Sequence, residues 1–288
     1  MNTVVKSARQ TVEIGHDRPF VIIGERINPT GRKRLAAEMQ EGNFDRVVRD
    51  AKAQIEAGAH ILDVNVGVPS VDPETTEPEM MTRAVHLVQS VVDAPLAIDS
   101  SVVPALVAGI KAANGRPIVN SVTGEEERME RILPLVAEYN LPVIAITSDE
   151  RGILFEATER FGIAKKIVER AARYGIKPED VLIDPLAMPV SSVPSAGLDV
   201  FAITHMVNEG LGCNTVCGAS NISFGLPNRL AINSAFMAMA IATGMTCAIT
   251  NPLETAIRHT IYATDVLMGR DEFCMNYVTV MRKAAQQT

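Results

Sequence analysis

Eight short apolar runs, each followed by a longer stretch with helical spacing, limit what this chain can fold into more than any other feature. The runs are PFVIIG (19–24), AHILDVNVG (59–67), PLAIDSS (95–101), RPIVNSV (116–122), LPVIAITS (141–148), DVLIDPL (180–186), NTVCGASNIS (214–223) and TCAIT (246–250). Each is apolar or β-branched at its centre and bounded by Gly, Pro or Asp. Buried parallel strands read this way, because helices cover both faces and the polar–apolar alternation disappears. Helical patterns fill 43–58, 76–92, 102–113, 124–139, 158–174, 198–210, 229–243 and 254–268. The first of these starts at a candidate N-cap, Asn43, and closes at Gly58. Eight strand–helix alternations in one uninterrupted chain of 288 residues predict a single α/β domain, a (β/α)8 TIM barrel, over an open doubly wound sheet. GLGCNT at 210–215 starts like a dinucleotide loop, but Thr215 stands where the third glycine belongs and a strand follows. Residues 1–18 are expected to form an N-terminal arm, a capping hairpin, and residues 269–288 a last helix with a frayed tail.

Composition closes off several functions. Hydrophobic residues make up 47% and charged residues 21%, which suits a folded soluble chain. The net charge of -7 does not attract phosphate backbones, and no basic run or aromatic platform offsets it, so nucleic acid is not an expected partner. The start, MNTVVKSARQTVEIGHD, lacks a continuous apolar segment and does not read as a secretory signal. No charge falls between Arg229 and Glu254, yet Asn233, Ser234, Gly244, Asn251 and Pro252 interrupt that stretch. It is predicted to be a buried helix, a stop at Gly244 and a short buried strand, not a membrane span. Cys213, Cys217, Cys247 and Cys274 form no CxxC pair, and the five His residues form no HExxH pattern. These features point to a cytoplasmic protein with no bound metal.

The polar residues in the runs are informative by position, because active sites of such barrels lie at the carboxyl ends of the strands. The first strand ends in Glu25-Arg26-Ile27-Asn28, and the second carries Asp63 and Asn65. Asp99, Asn120 and Asp184 end the third, fourth and sixth, and Ser220-Asn221 the seventh. Any one of them could cap a following helix or turn. Together they describe one mouth lined with acceptors, with Glu25–Arg26 as the one obvious internal charge pair. Such a mouth, poor in Lys and without a glycine-rich phosphate cradle, suits a flat heterocycle that presents several N–H donors. The amino-oxo edge of a pterin is such a ligand, and each bond to a charged acceptor contributes about 1.5–3 kcal/mol.

In order along the chain, IIGERIN, ILDVNVG, AIDSS, IVNS, LIDPL and GASNISFGLPNR resemble the pterin-binding methyltransferase family. That family includes methyltetrahydrofolate:corrinoid protein methyltransferases and the folate domain of cobalamin-dependent methionine synthase. The resemblance spans roughly residues 20–283 and implies a dihydropteroate synthase-like barrel. It further implies that Asp99, Asn120 and Asp184 hold the pterin, that Asp63 and Asn65 support them from the pocket floor, and that Asn221 reaches the N5 region. Arg229 would neighbour the folate's p-aminobenzoate or the reacting region, Ser220 is a further candidate beside Asn221, and Glu25 and Asn28 match a motif whose role is architectural. Dihydropteroate synthases share the pocket but resemble one another in a basic pyrophosphate site. Here the stretch after Ala219 has no Arg or Lys until Arg229, which favours methyl transfer over condensation. The implied substrate is methyltetrahydrofolate. No Asp-x-His-x-x-Gly motif is present, so the cobalamin is expected on a separate corrinoid protein. A dihydropteroate synthase-like condensing enzyme and a non-catalytic folate-binding module are the competing readings, and the family resemblance implies a homodimer paired through barrel helices.

Overall fold

The computed structural model describes residues 2–285, and the end of the expected frayed tail, 286–288, lies outside them. Two strands, β1 (Thr3–Lys6) and β2 (Thr11–Ile14), form an antiparallel hairpin. The barrel strands are β3 (Val21–Ile27), β4 (Ile61–Asn65), β5 (Leu96–Asp99), β6 (Ile118–Thr123), β7 (Val143–Ile146), β8 (Val181–Asp184), β9 (Asn214–Thr215) and β10 (Cys247–Thr250). They pair in parallel in the order β10-β3-β4-β5-β6-β7-β8-β9. A parallel bridge between Gly218 and Ile249 closes the ring, with the Ile249 N–H donating to the Cys217 carbonyl at 2.9 Å. The expected eight-stranded barrel is therefore the observed one.

Ten helices accompany the strands among the described residues: α1 (Lys33–Gln40), α2 (Asp45–Glu56), α3 (Thr76–Val91), α4 (Val103–Ala112), α5 (Glu126–Glu138), α6 (Ala157–Arg173), α7 (Ala196–Gly210), α8 (Arg229–Ala242), α9 (Thr255–Leu267) and α10 (Met275–Ala285). The helix α2 starts one residue later than the N-cap reading placed it, with Phe44 at the N-cap position. Asn43 still serves the helix start, because its Oδ1 accepts the Asp45 N–H at 2.9 Å. The uncharged stretch after Arg229 is α8, a turn through Gly244 at φ 104° and then β10, as expected. Among the described residues no helix is long and apolar enough to cross a membrane. The unexpected helix is α1: it buries only Leu35 and Met39, too few apolar positions to register as a period. Gly109 lets α4 approach the barrel, since a Cβ there would lie 2.4 Å from Ile98 Cγ2.

Side chains alternate along each strand. One set, including Ile22, Leu62, Ile98, Val119, Val181 and Ile183, packs outward against the helices. The other set fills the barrel: Val21, Ile23, Ile61, Ala97, Ile118, Ile144, Leu182, Val216 and Cys247. Val5, Val12 and Ile14 of the hairpin join this inner cluster, so the N-terminal arm plugs the amino end of the barrel. Asn214 Nδ2 fastens the plug by donating to Thr3 Oγ1 at 2.9 Å and to the Ile14 carbonyl at 3.0 Å.

One expectation needs correction. The run 214–223 is not one strand. It gives the two-residue β9, then an extended link, then a 3-10 turn at Ala219–Ser223, where the Asn221 N–H bonds the Gly218 carbonyl at 3.1 Å. Ser220 and Asn221 thus stand on a turn above the strand and not at its end. The first strand does end in the Glu25–Asn28 stretch, as expected: β3 runs to Ile27, with one extra residue against β4 between Gly24 and Ile27. Such a bulge re-aims neighbouring side chains. A similar shift in β6 follows Asn120, whose peptide bond to Ser121 is cis.

The plug can be tested by shortening it. Ile14→Ala should cost about 2–5 kcal/mol by leaving a cavity in the barrel interior. The control Leu267→Ala, at a side chain 85% exposed, should stay within about 0.5 kcal/mol. Urea denaturation followed by circular dichroism measures both.

Candidate active site

Two residues beyond the inner apolar layer, the barrel interior changes character. Following the alternation from Ile23, Ile61, Ala97, Ile118 and Leu182 leads to Glu25, Asp63, Asp99, Asn120 and Asp184. Strand register sets Asn65, Asp99 and Asn120 side by side on β4, β5 and β6. Above them opens a cavity of about 520 Å³ at the carboxyl end of the barrel. Asp63, Asp99 and Asn120 line it from β4–β6, Glu25 and Arg26 from β3, and Ser220, Asn221, Phe224 and Arg229 from the connection into α8. The bulge in β3 is the reason both Glu25 and Arg26 reach the cavity, where strict alternation would turn one of them away.

The floor is held by side-chain amides. Asn120 Nδ2 donates to Asp63 Oδ1 at 3.0 Å, and Asn65 Nδ2 donates to Asp99 Oδ2 at 2.9 Å. Asn65 is oriented in turn, its Oδ1 accepting the Gly67 N–H at 2.8 Å. Three of the nearby guanidinium groups, those of Arg128, Arg229 and Arg32, are committed elsewhere, largely to backbone carbonyls. Arg128, from α5, donates to the carbonyls of Ser100, Ser101 and Ser121. Arg229 donates to Ser223 Oγ and the Ser220 carbonyl, and Arg32 to the Arg26 carbonyl and to Asp50. Among the described residues no ion pair forms between a guanidinium and a floor carboxylate.

Desolvation without a paired cation raises the carboxyl pKa values. Burial pushes Asp63 well up, the Asp99 charge beside it adds to this, and the Asn120 amide opposes it. Burial also raises Asp99, which fronts the cavity, but the Asn65 amide holds it down. Burial carries Asp184 to about 7 against the Leu186 N–H, which it accepts at 2.7 Å, and against the charge of Arg160. Glu25 is raised by burial too, opposed first by Ser220. The expected Glu25–Arg26 pair therefore needs restating: the carboxylate is bonded to Ser220 Oγ, at 3.0 and 2.9 Å, and Arg26 acts on it only through space.

Of the ten residues singled out in the sequence, Glu25, Asn28, Asp63, Asp99, Asn120, Ser220, Asn221 and Arg229 share this cavity. Asn65 lies one step behind it, through Asp99. Asp184 is buried at the end of β8 and is not among the lining residues; only its Oδ1 has a protein donor among the described residues. Asn28 also shapes the loop, accepting the Thr30 N–H at 2.9 Å. Gly218 is needed beneath Asn221, because a Cβ there would come within 3.0 Å of Asn221 Nδ2. Sequence reasoning named Arg26 only as the partner of Glu25, and missed Phe224, Arg128 and Glu77. Glu77 is buried and accepts from Ser100 Oγ at 2.6 Å, but in sequence it reads as an ordinary acid in the first turn of α3.

Comparison with known proteins agrees on one family. Residues 24–251 match the family described as "Pterin binding enzyme". The methylcorrinoid:tetrahydrofolate methyltransferase of Eubacterium limosum is 33% identical over 268 residues, covering 92% of this chain and 97% of that protein. The methionine synthase of Mycobacterium tuberculosis is 30% identical over 258 residues, 85% of this chain but 21% of that much longer protein. Among solved structures, dihydropteroate synthase from Xanthomonas albilineans in complex with 7,8-dihydropteroate superposes with a TM-score of 0.71 at 19% identity. That match covers 92% of this chain and 98% of the other. The Yersinia pestis enzyme with a pterine–sulfa conjugate gives 0.70 at 16% identity, over 93% of this chain and all of that one. At such identities these structures speak for the fold.

The acid layer has a stability signature. Asp184 titrates near 3.8 when unfolded and near 7 when folded, so between those values only the folded state holds the proton. Its contribution is complete below pH 3.8 and declines as pH rises to 7; above that, the ionised carboxylate is a constant cost of at most about 4 kcal/mol. Asp184→Asn keeps an acceptor for Leu186 and removes the ionisation. Thermal melts of the unliganded variant should show a Tm gain at pH 8 that shrinks towards pH 5.

Proposed function

The chain belongs to the pterin binding enzyme family, and from that premise we propose that it transfers a methyl group between N5 of methyltetrahydrofolate and the cobalt of a corrinoid carried by a separate protein. One observation carries the reading: the linked acceptors Asp63–Asn120 and Asp99–Asn65 on the cavity floor. They match the N–H donors along the amino-oxo edge of a pterin, which can give paired hydrogen bonds to a carboxylate. Asp99 and Asn120 would hold the ring, Asp184 would offer its second carboxylate oxygen from behind, and Asp63 and Asn65 would fix the geometry. The likeness to the Eubacterium limosum methyltransferase, over nearly the full length of both chains, supports a corrinoid as the methyl partner.

Condensation of the dihydropteroate synthase type is the less suitable chemistry for these side chains. The turn Ala219–Ser223 carries no cation, and the guanidinium of Arg229 is already tied to Ser223 and Ser220. A pyrophosphate leaving group would lack its counter-charges there.

Methyl transfer from folate displaces an amine, a poor leaving group until N5 is protonated or strongly hydrogen-bonded. The corrinoid supplies Co(I) as the nucleophile in an in-line displacement. Asn221 stands on the 3-10 turn at the cavity wall, and no other protein group takes its side-chain amide among the described residues. A hydrogen bond from that amide to N5 strengthens as the lone pair develops, and preorganised donors of this kind contribute about 2.7–4 kcal/mol. The same contacts serve the reaction in either direction. Pairing of two copies through the barrel helices belongs to the same reading, and α8 leaves Met239 half exposed on its outer side.

Mixing the protein with methyltetrahydrofolate and reduced free cobalamin should produce the methylcobalamin spectrum. A protein that binds the folate without producing it would be a binding module. Asn221→Ala should lower kcat/KM for methyltetrahydrofolate by about 10² or more, and unchanged turnover would remove Asn221 from the mechanism. Asp184→Asn, although more stable without ligand, should chiefly weaken folate binding in calorimetry, because its contact is present in ground and transition states alike.

A further inference from the structure

The methyl-transfer reading leaves one proton unassigned. When the N5–CH3 bond breaks, its electron pair stays on nitrogen and N5 gains a proton. The new carbon–cobalt bond takes its pair from Co(I), which becomes Co(III). One proton must therefore be delivered per turnover, and one taken up in the reverse direction.

The cavity lining narrows the source. It contains no His, Cys, Lys or Tyr, and its acids are Glu25, Asp63 and Asp99. Asp63 and Asp99 are occupied with each other and with the amides of Asn120 and Asn65 at the floor. Glu25 is placed differently. It stands at the β3 bulge, and its two carboxylate oxygens lie 3.0 and 2.9 Å from the single hydroxyl of Ser220. Ser220 directly precedes Asn221, on the wall assigned above to N5.

A second observation concerns the far side of this pair. A separate cavity of about 240 Å³ between the barrel and helices α8 and α9 is also lined by Glu25 and Ser220, together with Arg26, Arg229, Asn251 and Glu254. The Glu25–Ser220 pair thus stands between two cavities, one facing the substrate position and one through which solvent can return a proton.

We propose that Glu25, acting through the Ser220 hydroxyl, is the acid–base group that gives N5 its proton as the methyl group leaves folate and takes it back in the reverse reaction. The proposal rests on the methyl-transfer reading of the site. In the forward direction the Glu25 carboxyl protonates Ser220 Oγ as the hydroxyl passes its own proton to N5, leaving Glu25 as a carboxylate that solvent recharges. The electrostatics fit a proton store: burial raises the Glu25 carboxyl, and the charge of Glu254 works in the same direction. Ser220, Arg26 and Arg229 oppose that rise, while Asp63 below feels the charge of Glu25.

The test is single-turnover methylcobalamin formation across pH, with methyltetrahydrofolate binding measured separately by calorimetry. Glu25→Gln keeps an acceptor for Ser220 but stores no proton. It should bind folate within about threefold of the parent, lose about 10² or more in rate, and show a residual rate that tracks bulk acidity without levelling off. Glu25→Asp should recover at least about tenfold of that loss, and Ser220→Ala should slow the step by about tenfold or more with binding retained. A Gln variant within about threefold of the parent rate would overturn the proposal. So would Gln and Asp variants equally slow with the same pH profile, or a Gln variant whose loss lies in folate binding, since these describe a bracing role. If the parent protein itself methylates no cobalamin at any pH, the methyl-transfer reading fails, which is a separate result.

Discussion

Carboxyl groups taken out of water without cations beside them are the constraint around which the carboxyl end of this barrel is built. Within two residues along β4, β5, β6 and β8 the interior passes from Ile, Ala and Leu to Asp and Asn. Burying acceptors is unfavourable unless donors meet them. The protein meets them only in part, with the amides of Asn120 and Asn65 and the backbone N–H of Leu186. The raised pKa values of Asp63, Asp99 and Asp184 express the shortfall. In the reading proposed above, a ligand bringing N–H donors completes the set, so the destabilising feature of the empty barrel and the recognition of a pterin would be the same arrangement.

The rest of the molecule keeps that arrangement in place. The hairpin seals the amino end, so the inner apolar layer is covered below and the polar layer opens only above. Arginines that could have neutralised the acids are used as braces. Arg128 joins the ends of β5 and β6 through three carbonyls, and Arg229 fixes the turn that carries Ser220 and Asn221. With Arg128 and Arg229 used this way, neither forms an ion pair with the floor carboxylates.

Similarity in fold and similarity in chemistry separate here. Dihydropteroate synthases share the barrel at 16–19% identity, and a fold alone does not settle a reaction. In the methyl-transfer reading the distinction lies in short stretches above the strands, chiefly the cation-free turn at Ala219–Ser223. The Glu25–Ser220 contact joins β3 to this turn, 195 positions away in sequence.

The barrel was legible in the sequence because burial on both faces leaves a local mark: apolar runs of strand length, each followed by a helical period. The acceptors Asp63, Asp99, Asn120 and Asp184 were legible for the same reason, each interrupting a run that burial should have kept apolar. Local pattern could not show the bulge in β3 that turns Glu25 and Arg26 into one cavity, nor the break of 214–223 into strand and turn. Both depend on backbone pairing with a neighbouring strand or loop, and residue type at those positions suits either outcome. The bracing by Arg128 and the Ser220 contact of Glu25 were equally hidden, because a long side chain's partner is set by where distant segments meet. Residue order thus determined which strands exist and which of them end in acids. The closed ring of strands decided which acids face one another, because only closure brings β3, β5 and the loop after β9 around a single cavity.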